Sequence, residues 1–154
     1  MEELRVRYED LYHTGIVVED MTGAQEELSD ALGVTWGPQG TSDQAVFLED
    51  GPGSVTFEFA YTAEGPHHLE LVTAIPGTLW TVTAPGHAHH TGYWCDDVSG
   101  VSAALSAKGI PLVAKVGTDQ ADAPSMVVYH RARSGLYIEL VARAARAMLF
   151  GDDQ

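Results

Sequence analysis

Short apolar runs and one amphipathic stretch alternate along the first half of the chain. HTGIVV, which begins at His13, is rich in β-branched residues and predicts a strand. Asp20 can then cap a helix that ends near Gly33. The apolar residues of this helix recur with its period: Met21, Ala24, Leu28 and Ala31. Three strand-like runs follow, QAVFLED, SVTFEFAYT and HLELVTA, separated by the turn sequences DGPG and AEGP, so the first half predicts the order β-α-β-β-β.

The second half repeats this order. HTGYWC, which begins at His90, predicts a strand, and Asp97 can cap a helix that stops near Gly109. The apolar residues of that helix are Val98, Val101 and Leu105. The remaining strands are predicted at PLVAKVG, SMVVYHRA and LYIELVA. Each half has one helix for four strands, so one face of its sheet stays bare unless both sheets curl around a shared hollow.

The repeat is also visible in the letters. YHTGIVVEDMTG and HHTGYWCDDVSG align without a gap, 77 positions apart, and the later phrases HLELV and YIELV set Glu70 against Glu139. We interpret the chain as a tandem duplication and predict a single α+β domain over residues 1–154. Its β-α-β-β-β modules would be residues 10–75 and 87–143, joined by a linker over 74–88. A tail over 144–154 would need a partner surface for its three apolar residues, Met148, Leu149 and Phe150.

Composition limits the possible partners. Eight basic residues against 22 acidic ones give a formal net charge of −14, which repels phosphate backbones, so we expect no nucleic-acid partner. No apolar run is long enough to span a membrane, and the charged N-terminus is unlike a signal peptide, so we expect a cytoplasmic protein without a membrane partner. Cys95 is the only cysteine, which excludes an intrachain disulfide and a thiolate metal cage.

The repeated residues indicate a metal site. Side chains alternate along a strand, so His13 shares a face with Gly15 and His90 shares a face with Gly92. If these faces line the hollow, two imidazoles and two carboxylates converge there: His13, Glu70, His90 and Glu139. Buried carboxylates cost several kcal/mol unless they are compensated, and one divalent cation would offset that cost. The donor set suits Ni, Zn, Mn, Co or Fe(II).

The phrases HTGIVVED, HHTGYWCDDV and GLYIELV, with the module order, resemble the vicinal oxygen chelate superfamily over about residues 10–143. This superfamily includes glyoxalase I, methylmalonyl-CoA epimerase, extradiol dioxygenases and bleomycin-resistance proteins. The resemblance implies paired modules that form a cupped mixed sheet around one metal. It places the ligands at His13, Glu70, His90 and Glu139, in the order of bacterial glyoxalase I. The HH doublet at His89 is similar to that of the epimerase-like branch.

The resemblance also implies a class of reaction. A small substrate with two adjacent oxygens would chelate the metal, and a carboxylate would move a proton through an enolate or enediolate, as in a lyase or isomerase. We expect Glu139 to be the base, with Glu70 as its pseudo-symmetric counterpart. Glu58, on the preceding strand, is a further candidate base by its similarity to an epimerase glutamate. Basic residues that would hold glutathione or coenzyme A have no clear counterpart among the eight Lys and Arg.

Other side chains are predicted to line the substrate pocket. Trp94 should lie on the face of His90, and Tyr137 on the face of Glu139. His68 shares the face of Glu70, and His130 follows on a late strand; either could be a hydrogen-bond partner to the site or a proton shuttle.

Three alternatives remain open. A metal-free drug-binding protein of the bleomycin-resistance type would suit the acidic composition, because such proteins bind cationic ligands. An Fe(II) extradiol-type dioxygenase would need only two histidines and one glutamate, so the additional Glu70 counts against it. A duplicate that has lost its activity is the third reading. Because dimers are common in the superfamily, we also expect a homodimer.

Overall fold

A computed structural model of the chain describes residues 4–84 and 87–151. Residues 85–86 of the expected linker, residues 152–154 of the expected tail and residues 1–3 lie outside the described residues. The strands are β1 Leu11–Val18, β2 Trp36–Leu48, β3 Gly51–Thr62, β4 His68–Thr73, β5 His90–Cys95, β6 Leu112–Val116, β7 Val127–Arg131 and β8 Tyr137–Ala142. The α-helices are α1 Met21–Leu32, α2 Val98–Ala107 and α3 Arg146–Phe150, with 3-10 turns at Tyr8–Asp10 and Arg143–Ala145.

The eight strands form one mixed sheet that closes on itself in the order β1-β4-β3-β2-β6-β7-β8-β5. In each half the first strand runs parallel to the last, β1 with β4 and β5 with β8. The halves meet at two antiparallel seams, β1 with β5 and β2 with β6. The predicted α+β class and curled sheet are therefore confirmed. The second seam spans three residue pairs and converts the expected cup into a barrel.

The helix ends follow the sequence signals. The carboxylates of Asp20 and Asp97 accept hydrogen bonds from the backbone N–H of Gly23 and Gly100 at 3.0 and 2.9 Å. Gly33, in the left-handed region with φ 72°, ends α1. These caps satisfy backbone groups that a helix end leaves unpaired. In the described part of the chain, no helix combines the length and the apolar character that a bilayer crossing requires.

Strand β2 is longer than the sequence predicts. It begins at Trp36, whereas the expected run began at Gln44. Apart from Trp36, the added residues are polar, Gly or Pro, and they pair with strand β3 as far as Trp36 opposite Thr62. Hydrogen bonding to a long neighbour thus extends a strand whose own residues carry no strand signal.

The tail packs on the barrel to which it belongs. Leu149 and Phe150 of α3 lie against a buried cluster of Tyr12, Tyr61, Trp94 and Val141. The Phe150 ring stacks on His68 with centroids 4.2 Å apart. The partner surface expected for the apolar tail is therefore supplied within the chain, except that Met148 is 81% exposed.

Candidate metal centre

The antiparallel pairing of β1 with β5 explains the repeated His-Thr-Gly. His13 lies opposite Gly92, and His90 lies opposite Gly15. A Cβ added at Gly15 would come within 2.0 Å of Cε1 of His90, and one added at Gly92 within 1.9 Å of Cε1 of His13. Each glycine therefore provides the space in which the histidine of the other half lies.

The parallel pairings bring the glutamates to the same place. Glu70 of β4 lies beside Gly15 of β1, and Glu139 of β8 lies beside Gly92 of β5. One ligand atom from each of His13, Glu70, His90 and Glu139 falls within a group no wider than 4.8 Å. The two histidines are fully buried, and the two glutamates are 7% and 5% exposed. The four residues predicted as ligands are therefore brought together.

The distances within this group fit a cation. Nε2 of His13 and Nε2 of His90 are 3.1 Å apart. The histidine-to-glutamate distances are 2.9 Å for His13–Glu139 and His90–Glu70, and 3.4 Å for the two crossed pairs. Ligands at right angles around an ion, with bonds of about 2.1 Å, lie about 3 Å apart. Oε1 of Glu139 is buried, and apart from its approach to the two imidazole nitrogens it has no hydrogen-bond partner among the described residues. A divalent ion would satisfy this oxygen.

The electrostatics show that the group attracts positive charge. Burial lowers the pKa of His13, but Glu139 and Glu70 outweigh burial and raise it to about 9. Burial likewise raises the pKa of Glu70, but His13 and His90 hold it well below its usual range. The lowered pKa of Glu70 favours its charged form, and a buried carboxylate of this kind requires a proton or a metal ion nearby.

His89 determines which nitrogen of His90 faces the group. Nε2 of His89 lies 2.8 Å from the carbonyl oxygen of Leu79, which can only accept, so this nitrogen donates. Burial and His90 lower the pKa of His89 to about 4, so its ring is neutral and its Nδ1 accepts. Nδ1 of His90, 2.8 Å away, must donate to it. With Nδ1 engaged in this contact, Nε2 of His90 is the nitrogen that faces the four-residue group and would bind a metal ion there.

A cavity of about 730 Å³ opens beside this group and is lined by both glutamates. Most of its wall is apolar: Tyr12, Phe57, Phe59, Tyr61, Val72, Val116, Met126, Val127, Tyr129, Val141 and Leu149 contribute to it. Burial raises the pKa of Tyr12, Tyr61 and Tyr129 well above 10, so these phenols stay neutral. The volume lies within the range of about 300–1,000 Å³ typical of small-molecule sites.

Glu58, a predicted base, lies on the other side of the sheet. Its side chain is exposed and accepts a hydrogen bond from Thr73. Phe57 and Phe59, its neighbours on β3, line the cavity, and alternation therefore turns Glu58 outward. The alternating apolar residues of SVTFEFAYT already carried this signal.

The four predicted pocket residues are buried or partly buried nearby, but none is among the lining residues of the cavity. His130 lies on the outer face of β7, where its ring nitrogens contact Ser102 Oγ at 2.7 Å and the Ile110 carbonyl at 2.8 Å. Trp94 stacks on Tyr12 with ring centroids 3.7 Å apart, and it is Tyr12 that lines the cavity. The prediction that His130 and Trp94 line the cavity is therefore wrong.

The other two lie on the expected faces but away from the opening. Nδ1 of His68 donates to the carbonyl of Thr62 at 2.7 Å, and its ring is covered by Phe150. Tyr137 packs beside the ring of His89, with centroids 4.8 Å apart. Sequence reasoning did not assign a role to His89, although the HH doublet drew attention to it.

Comparisons with known proteins agree with this fold. A family model described as Glyoxalase/Bleomycin resistance protein/Dioxygenase superfamily matches residues 12–129. Methylmalonyl-CoA epimerase from Mycobacterium tuberculosis is similar, with a TM-score of 0.61 and 19% identity over 92% of each chain. A variant of the Streptomyces coelicolor epimerase, in complex with 2-nitronate-propionyl-CoA, also gives a TM-score of 0.61 and 19% identity, over 93% of this chain and 97% of its own.

A more distant structure, a hypothetical protein from Bacillus halodurans, gives a TM-score of 0.53 at 14% identity over 86% of this chain and 92% of its own. No curated protein sequence matches the chain. At these identities the similarity to solved structures establishes a shared fold.

Proposed function

The chain belongs to the glyoxalase/bleomycin resistance protein/dioxygenase superfamily, and from this premise we propose that it is a metal-dependent isomerase or lyase. Its substrate is a small molecule with two adjacent oxygens, and its reaction transfers a proton from the carbon next to a carbonyl. The observation that carries the proposal is the buried group of two imidazoles and two carboxylates, both of whose glutamates line the cavity.

His13, Glu70, His90 and Glu139 would hold one divalent ion, either Ni, Zn, Mn, Co or Fe(II). When bound, such an ion supplies Lewis-acid polarisation of a substrate carbonyl. The chain itself contributes the apolar cavity, which excludes water, and the His89 contact, which holds Nε2 of His90 toward the ion.

Glu139 is the proposed base. One of its oxygens is buried with only the imidazole nitrogens of the group close to it, and the carboxylate borders the cavity. It accepts the proton from the carbon next to the carbonyl and returns it to the neighbouring atom, so that no proton is gained or lost overall. Glu70 occupies the equivalent position of the other half and is the alternative base for the same proton transfer. Because Glu58 is exposed on the outer face, we assign it no part in this transfer.

The test combines metal content with hydrogen exchange. The purified protein is expected to carry about one equivalent of metal, and a His90→Ala variant is expected to lose it. In deuterated water, NMR should show that the metal-loaded protein replaces the α-proton of small 2-oxo compounds or hydroxyketones. A protein that holds metal but exchanges no substrate in a broad panel would contradict the proposal.

A metal-free drug-binding protein is the second candidate. The aromatic cavity and the net charge of −14 favour this alternative, because both suit a cationic aromatic ligand. Absence of metal together with tight binding of a cationic aromatic drug would select it. Oxygen consumption with a catechol would instead select the extradiol-type dioxygenase.

We also propose that the protein forms a homodimer, as the superfamily resemblance implies. Exposed apolar side chains outside the barrel core, such as Tyr8 at 76% and Leu32 at 57% exposure, offer contacts for a second copy. Light scattering after size exclusion should give twice the chain mass of 16.5 kDa.

A further inference from the structure

We propose that the substrate has an uncharged or cationic body and carries no phosphate or carboxylate in the part that fills the cavity. This inference rests on the proposed function, because it concerns the molecule whose adjacent oxygens reach the four-residue group. It separates the protein's substrate from molecules that would place anionic groups inside the cavity, because buried anionic groups need cationic partners.

The positive side chains lie outside the lining of the cavity. All eight Lys and Arg of the sequence fall within the described ranges 4–84 and 87–151, and none of them lines the cavity. Lys115 lies on the outer face, where its ammonium donates to the carbonyls of Ala121 and Ala123 at 2.8 Å.

Two arginines that could be thought to reach the barrel are already paired with carboxylates. Arg131 lies 2.6 Å from Glu49, and Arg143 lies 2.9 Å from Asp10 and 2.8 Å from Asp96. An anionic substituent inside the cavity would therefore lose its hydration without gaining a cation, which is unfavourable.

The polar part of the wall is neutral apart from the two glutamates. Ser42 and Gln44 of β2 line the cavity, and Nε2 of Gln44 donates to Oγ of Ser42 at 2.6 Å. These neutral groups can hydrogen-bond a hydroxyl, amide or carbonyl, but they do not neutralise an anion.

The charged side chains that border the cavity are acidic. Glu70 and Glu139 are the two charged side chains among the lining residues, and both are negative. One divalent cation balances them and leaves no net positive charge to attract an anionic tail. The overall charge of −14 adds repulsion, so selection against anions acts both at a distance and in the cavity.

The experiment uses three catechols of similar shape as chelating probes: 4-ethylcatechol, dopamine and 3,4-dihydroxyphenylacetate, which are neutral, cationic and anionic. Their binding to the metal-loaded full chain is measured by calorimetry without oxygen. We expect dopamine to bind at least as tightly as 4-ethylcatechol, and the anion to bind at least tenfold more weakly. Equal or tighter binding of the anion would overturn the inference.

A matched pair of variants tests the wall itself. Gln44→Lys places a cation in the cavity and should improve binding of the anionic probe at least tenfold relative to the neutral one. Thr56→Lys adds the same charge on the exposed outer face of β3 and should leave the order of the three probe affinities unchanged. If no probe binds, the substrate-class inference fails, whereas metal content and hydrogen exchange still decide the proposed function separately.

Discussion

Replacing Gly15 by alanine should displace a metal ligand from the other half of the chain. The added Cβ would lie 2.0 Å from Cε1, 2.1 Å from Nε2 and 2.5 Å from Nδ1 of His90. Carbon atoms pack at about 3.5 Å, so the ring must move by roughly 1.5 Å. His90 is fully buried and its ring is hydrogen-bonded to His89, so this movement disrupts existing packing and the contact with His89.

The magnitude follows from the tolerance of metal sites. Ligand distances are held within about 0.2 Å, so a shift of this size removes Nε2 from the ion. Changes behind a ligand cost about 10–100-fold in metal affinity, and loss of the ligand itself should cost more than about 100-fold. Overpacking should also lower the free energy of unfolding by about 1–3 kcal/mol, or roughly 2–12 °C in melting temperature for a chain of this size.

The assays are metal titration by calorimetry and thermal unfolding in the presence of a chelator. Gly92→Ala should behave in the same way through His13, because its Cβ would lie 1.9 Å from Cε1 of that ring. Gly53→Ala is the matched control, since its nearest neighbour, Cγ2 of Val46, is 3.6 Å away.

A double variant separates the clash from the lost ligand. Gly15→Ala combined with His90→Ala should recover the melting temperature of the chelated protein but not its metal. If Gly15→Ala keeps wild-type metal affinity, or loses no more than Gly53→Ala, the explanation of the His-Thr-Gly repeat is refuted.

Four further predictions follow from the site. His89→Phe should lower metal affinity about 10–100-fold in calorimetry, because Nδ1 of His90 loses its acceptor; an unchanged affinity would contradict the assigned role. Glu139→Gln should retain metal at reduced affinity and slow hydrogen exchange by about 10²–10⁴-fold, whereas equal exchange would exclude this base. In the chelated protein, the pKa of His13 is raised from 6.5 to about 9, so its protonated ring stabilises the fold fully below pH 6.5. This contribution to the free energy of unfolding should be lost as the pH rises through about 9, as urea unfolding at several pH values can show. Glu58→Gln should leave metal content and exchange unchanged, and a loss of either would place it in the site after all.

The local pattern of the sequence was sufficient for the elements and for the four-residue group. Asp20, Asp97 and Gly33 mark helix ends through hydrogen bonds and a left-handed conformation that involve only neighbouring residues. The repeat identified His13 and His90 as candidate ligands. Strand alternation then predicted that His13 shares a face with Gly15 and that His90 shares a face with Gly92. The sequence also implied that the two halves pack together, because each half has one helix for four strands and must bury the uncovered face of its sheet.

Side-chain faces on individual strands were harder to predict. Glu58 and His130 point outward, and each was expected inside. In a strand, a shift of one residue exchanges the two faces, and the register is set by hydrogen bonds to neighbours that lie far away in sequence. For β3, the pairing of Tyr61 with Glu70 fixes which residues line the cavity.

The sequence by itself determined the duplicated β-α-β-β-β order, the helix caps and the identity of the four converging side chains, since these depend on local propensity and on the repeat. Only the tertiary structure decided that Gly15 makes room for His90 and Gly92 for His13, that His89 orients its neighbour, and that no cationic side chain among the described residues lines the cavity. Those features depend on the register between strands and on packing across the two halves, which no single stretch of the chain encodes.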